Sequence, residues 1–316
     1  MYNREIEGHS LWAWAAAAIS APAAQFLGST PWHWTLLLGV AAGCIWLCVE
    51  AATVYGRRDW KPLAVLHIFF LMFAVSAAAG WSVACWPTAR QEWTIPVVLL
   101  VLSACGAAGG CREGARCGAV LFWCLVLLFA VLVAFAVPEV QWDNLRPVNG
   151  GDGGTAAAVL LLPAAAALLP RKKGKSPWIW GLGIALIGAG ISLLTAGVIS
   201  PAVAGETQGA FFEMIRGISI LGVAERFESV VAAAMTLGWF CLLSLLLTGA
   251  GHLGETLHTG WGRPTVWLTA LVAAVGLPWA KTVSPWISAL GALIFWCLLP
   301  LLTKKPRFSK KGEKRY

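Results

Sequence analysis

Residues Leu11–Leu27 read LWAWAAAAISAPAAQFL, and residues Thr155–Leu169 read TAAAVLLLPAAAALL. Each is an apolar run without a charged side chain, and each carries a proline near its middle, Pro22 in the first and Pro163 in the second. Proline has no N–H. In a helix, Pro22 therefore leaves the carbonyl of Ala18 without its donor, and Pro163 does the same to the carbonyl of Val159. At membrane depth lipid offers no replacement, so such carbonyls must be enclosed by protein or line a cavity. Ser20, two positions before Pro22, adds a hydroxyl that can meet a freed group or a ligand.

The composition places these runs in a bilayer. The chain has 316 residues, 59% of them hydrophobic and 12% charged. A soluble domain carries about a quarter charged residues. A spanning helix takes roughly 20 mainly apolar residues. Ten segments approach that test: Leu11–Leu27, Trp34–Tyr55, Pro62–Trp81, Trp93–Ala108, Val120–Val137, Thr155–Leu169, Trp178–Ile199, Phe227–Gly249, Thr265–Trp279 and Trp286–Leu302. The fourth, sixth and ninth are short, and hydropathy alone also admits nine or eleven spans. The expected fold is an all-α polytopic membrane protein of about ten helices.

Charge supports the even count. With ten spans and a cytoplasmic N-terminus, 18 of the 23 Lys and Arg fall on the inner side, including Arg116 and the seven basic residues from Lys304 onward. The acidic residues divide 7 inside and 8 outside, so the inner face nets +11 and the outer −3, which sum to the chain's +8. This is the positive-inside bias that sets topology. Both termini are then cytoplasmic. The basic residues sit in short loops and in a tail beside the last span, a placement that suits anionic headgroups and argues against nucleic acid.

Other features have plain readings. Ala21-Pro22-Ala23 resembles a signal-peptide cleavage site, but Glu5 and Glu7 beside Arg4 make a poor positive leader, so the segment is read as retained. Cys105, Cys111 and Cys117 recur without nearby histidines and read as packing residues, not a zinc site. His252 and His258 read as solvated or interfacial at a helix end, and the tryptophans (Trp34, Trp81, Trp93, Trp261 and Trp286 among them) as an interfacial belt. Gly39-x-x-x-Gly43 and Gly181, Gly183, Gly188 and Gly190 read as close-packing positions. Glu50 is placed to pair with Arg57 or Arg58. No catalytic constellation, metal set or cofactor motif is present, and the chain reads as a non-enzyme.

The polar stretch Pro138–Gly154 divides five spans from five. One membrane domain is expected, with halves 1–150 and 151–302 followed by a basic tail at 303–316. Transporters are often built from two inverted five-helix halves, with the first helix of each half broken beside a midplane ligand site. The prolines stand in the first and sixth spans, which are those positions.

Three stretches resemble a known family. Gly217–Phe240, GISILGVAERFESVVAAAMTLGWF, is similar to the eighth helix of the spore-germination permeases, where a Glu-Arg-hydrophobic-acidic element opens a long apolar helix. Gly110–Arg116, and Asp143–Val148 (DNLRPV), resemble the turn after that family's fourth helix and its Asn-Leu-x-Pro-Val stretch after the fifth. Ile19-Ser20-Ala21-Pro22 is similar to its first-helix motif. Arg112 stands where relatives have an acidic residue, the sixth span lacks their polar residue, and the link Gly56–Lys61 is short.

These permeases are the B subunits of nutrient germinant receptors and belong to the amino acid/polyamine/organocation transporter superfamily. The resemblance implies an inner spore membrane protein that binds a germinant in a transporter-like cavity and works with an A-type membrane subunit and a C-type lipoprotein. It favours a gating or structural role for Arg226, Glu228 and Arg116. The expected pocket walls are Ala18, Ser20 and Pro22, Ser76, Val159 and Pro163, and Val231 and Met235. These residues are small and apolar and suit a compact neutral amino acid. A secondary amino-acid or amine transporter, and an assembly subunit that has lost binding, are the alternatives.

Overall fold

A computed structural model describes residues 2, 5–28, 30–37, 39–41, 43–44, 61–85, 93–145, 161–170, 172, 178–206, 209–217, 227–280 and 283–299. The elements among the described residues are all helical. In chain order the α-helices bounded by described residues are α1 Gly8–Leu27, α2 Lys61–Trp81, α3 Thr94–Ala108, α4 Cys111–Ala136, α5 Trp178–Ile199, α6 Pro201–Glu206, α7 Ala210–Gly217, α8 Phe227–Leu257, α9 Gly262–Ala280 and α10 Pro285–Ala292; residues 32–37, 39–41 and 43–44 are helical too. Tighter 3-10 turns occupy Ser82–Cys85, Val137–Glu139, Trp142–Leu145 and Leu162–Leu168.

Three described stretches, Lys61–Trp81, Cys111–Glu139 and Ser229–Leu257, are long and apolar enough to cross a bilayer. The chain is an integral membrane protein. Helix α8 is its axis. Residues 241–250 are buried on every side, as expected of a helix that is apolar all round and central. It packs against α1, α2, α3, α4 and α9. Helix α4 lies at the rim, with Val120, Trp123 and Leu127 exposed along one stripe.

Glycine makes the two sharp turns. Gly110 (φ 113°) joins α3 to α4, and Gly260 (φ 91°) joins α8 to α9. Both lie in the left-handed region that glycine adopts without steric cost. The second turn is fastened by Glu255, whose Oε2 accepts the N–H groups of Gly260 and Gly262 at 3.1 and 3.0 Å. Tyr2 fills the space between the turns. Its hydroxyl donates to the carbonyl of Ala107 at 2.9 Å, and a side chain at Gly251 or Gly262 would collide with it.

Several expectations are corrected. The first helix is not broken: α1 runs as one α-helix from Gly8 to Leu27 with Pro22 inside it. The hydroxyl of Ser20 donates to the carbonyl of Ala17 at 2.6 Å beside the proline, and Ser20 is itself buried. In the sixth segment Pro163 opens the first turn of a 3-10 helix, so the backbone there is irregular from Leu162 to Leu168. Arg116 lies within α4, exposed, not in a loop. His252 is buried, because α8 runs eight residues beyond the predicted Gly249 to Leu257. Trp81 is buried, while Trp34, Trp93, Trp261 and Trp286 are exposed. Of the described cysteines only Cys111 and Cys241 are buried. Glu50, Arg57, Arg58, Val159 and Arg226 lie outside the described residues, as does the side chain of Glu228.

Candidate functional site

The site lies where α1 crosses α8. Gly238 permits the approach: a Cβ there would fall 2.6 Å from the Cβ of Ala21 and 3.0 Å from its backbone nitrogen. Contacts that short do not occur between real side chains, so the two helices touch backbone to side chain at this level. Beside the crossing is a small cavity lined by Ser20 of α1, by Leu125, Leu128, Phe129 and Leu132 of α4, by Phe211 of α7, and by Val231, Ala234 and Met235 of α8.

The free volume is about 10 Å³, the room of a single water molecule. The surface the walls offer is wholly apolar: Ser20 lines the cavity, but its hydroxyl is turned to the carbonyl of Ala17 and presents no polar surface there. Phe129 and Phe211 meet across the cavity with ring centroids 6.1 Å apart.

Helix α1 is anchored on both sides of Pro22. On the N-terminal side Trp14 donates from Nε1 to the carbonyl of Cys241 in α8 at 3.1 Å, and its ring lies in a slot of α4 opened by Gly114 and Gly118. On the C-terminal side the carbonyl of Leu27 accepts the hydroxyl of Ser192 in α5 at 2.6 Å. Ser192 in turn meets Thr35 Oγ1 at 2.9 Å. Gln25 Nε2 donates to the carbonyl of Trp81 at the end of α2, at 3.1 Å. The proline thus separates two halves of one helix held by different neighbours.

Of the expected wall residues the structure brings Ser20, Val231 and Met235 together around this cavity. Ala18, Pro22 and Pro163 are buried but do not line it. Ser76 serves packing elsewhere: its hydroxyl donates to the carbonyl of Ala273 at 3.3 Å and faces Gly276 of α9. The α4 wall and Phe211 were not foreseen. Nothing in the sequence marked the former, since α4 is apolar on every side from Val120 to Ala136. No cluster of three metal-ligating side chains occurs among the described residues.

No family profile matches the chain, and no curated protein sequence does at a significant level. Solved structures do. The crystal structure of MhsT in complex with L-phenylalanine superposes with a TM-score of 0.57, over 94% of this chain and 88% of that one, at 14% sequence identity. At that identity the likeness is one of fold: this chain shares the fold of MhsT.

Proposed function

We propose that the chain binds a small neutral amino acid between α1, α4 and α8, and that it does so as the membrane subunit of a spore nutrient-germinant receptor. The observation that carries the binding reading is the cavity beside the α1–α8 crossing in a chain with this transporter-like fold. MhsT, which has the same fold, was crystallised with L-phenylalanine. The receptor reading rests on the sequence stretches Gly217–Phe240, Gly110–Arg116 and Ile19–Pro22.

In this conformation the cavity has free volume for one water molecule. An amino acid fits only once the walls separate. Binding then works by selecting the open arrangement, with a driving force set by the difference in affinity for the two states. Pro22 makes α1 the element able to yield, because one rung of its hydrogen-bond ladder is missing. The ligand's apolar side chain would lie against Leu128, Leu132, Val231 and Met235. On opening, its ammonium group would be met by the carbonyl of Ala18, which Pro22 leaves without its helical donor, and by the oxygen of Ser20; neither oxygen offers surface to the cavity in this conformation. Ten spans in two inverted halves, cytoplasmic termini, and A- and C-type partners complete the proposal.

A panel of amino acids titrated against the chain in nanodiscs tests binding. A saturable rise in melting temperature for compact neutral members is expected, and no response from any member counts against the reading. The fold equally serves a secondary transporter. Uptake into proteoliposomes separates the two: binding without uptake fits a sensor, and concentrative uptake fits a transporter.

A further inference from the structure

The helix that begins as α10 widens where α2 grips it. Leu293–Leu298 forms a π-turn, and the N–H of Leu299 bonds to the carbonyl of Ile294, five residues back. An α-helix would deliver that N–H to Phe295, four residues back. The carbonyl of Phe295 is taken instead by a side chain of α2: His67 Nε2 lies 2.5 Å from it. A carbonyl only accepts, so the imidazole is the donor.

The same face of α2 holds the turn a second time. Phe70 stacks on Phe295 with centroids 5.0 Å apart and meets Trp296 edge-on at 5.2 Å. Gly291 leaves room for this, since a Cβ there would collide with the ring of Phe70. His67 is buried at 4% exposure within a spanning helix. An ionisable side chain at such a place is costly and is commonly retained for a function. Wide turns of this kind are frequent at functional positions.

We propose that Leu293–Leu298 is a two-register switch and that His67 holds it in the wide register. The two states differ in the backbone bonds of this turn, of which the last involves His67. In the wide register Phe295 accepts from His67 and Ile294 accepts from Leu299; in the α register the N–H of Leu299 moves to Phe295 and His67 is released. The change turns the following residues by about 100° and shifts them about 1.5 Å along the helix axis.

Hydrogen exchange on the full chain in nanodiscs tests this, read in peptides covering residues 293–299. H67F removes the donor, lets the turn adopt the α register, and is expected to slow exchange there about tenfold. H67Q keeps an N–H donor and is expected to stay close to the parent chain. Faster or unchanged exchange in H67F overturns the proposal, because it makes His67 a partner of a fixed turn. Should H67F not fold, Gly291→Ala displaces Phe70 from the same turn and is expected to give the same slowing. Unchanged or faster exchange in that variant likewise overturns the switch, with α8 peptides reporting that the fold is intact.

Discussion

The hydroxyl of Ser192 donates to the carbonyl of Leu27 at 2.6 Å, tying the last turn of α1 to α5 across 165 residues of sequence. A carbonyl at a helix end lacks its intrahelical donor. Here it is met by this hydroxyl and by the N–H of Thr30 at 3.0 Å. Gly188, one turn earlier on α5, makes room for the side chains of Leu27 and Thr35.

Ser192→Ala removes that link while the Thr30 bond stays. The expected cost is about 1 kcal/mol, seen as a lower melting temperature in nanodiscs. Ser192→Thr retains the hydroxyl and is expected to recover part of the loss.

Trp14 is the larger anchor. A Cβ on Gly114 would come within 2.8 Å of its indole, so Gly114→Ala overpacks a closed slot and is expected to cost about 1–3 kcal/mol. Trp14→Phe keeps much of the volume but loses the bond to Cys241, for about 0.5–1.5 kcal/mol. Thermal unfolding of the two variants checks the order.

Pro22 is expected to trade rigidity for response. Pro22→Ala returns an N–H to the carbonyl of Ala18 and completes the α1 ladder. On the proposed mechanism this variant melts higher than the parent chain and shows a smaller amino-acid-induced shift. An equal or larger shift would separate Pro22 from the opening step.

Alkaline pH is expected to loosen the N-terminal segment. Burial above all, then the neighbouring Cys111 and Glu255 against the guanidinium of Arg263, pushes the phenol of Tyr2 far above its ordinary value. A raised folded pKa means that stability is fully present below the unfolded value near 10 and is lost progressively as pH rises above it. Limited proteolysis near residue 2 should therefore accelerate above about pH 10. Tyr2→Phe, which cannot ionise, is expected to lack that acceleration.

Much of the helical framework could be read from hydropathy. Trp178–Ile199 has the bounds expected of it, and α8 begins at the expected Phe227. Its end was missed because Gly251, His252, Gly254 and Glu255 depress apolarity, yet they stay helical where α8 packs around Tyr2 and against α9. At the cavity, Ser20 was legible from its proline neighbour, and Val231 and Met235 from the expectation that the eighth span walls a transporter-type pocket. The α4 wall was not, because a helix apolar on all sides shows no face in its pattern. Ser76 misled for a related reason: a hydroxyl in a span marks a site and a packing bond alike, and only the carbonyl of Ala273 decides between them.

The central claim is that an amino acid occupies the space beside the α1–α8 crossing, and calorimetric titration of the nanodisc-embedded chain alongside Met235→Trp tests it most directly. The account predicts saturable heat with a compact neutral amino acid for the parent chain, and its loss in the variant, whose indole overfills the cavity at a cost of about 1–3 kcal/mol in stability. Equal binding by both chains, or heat from neither with any amino acid, would contradict it.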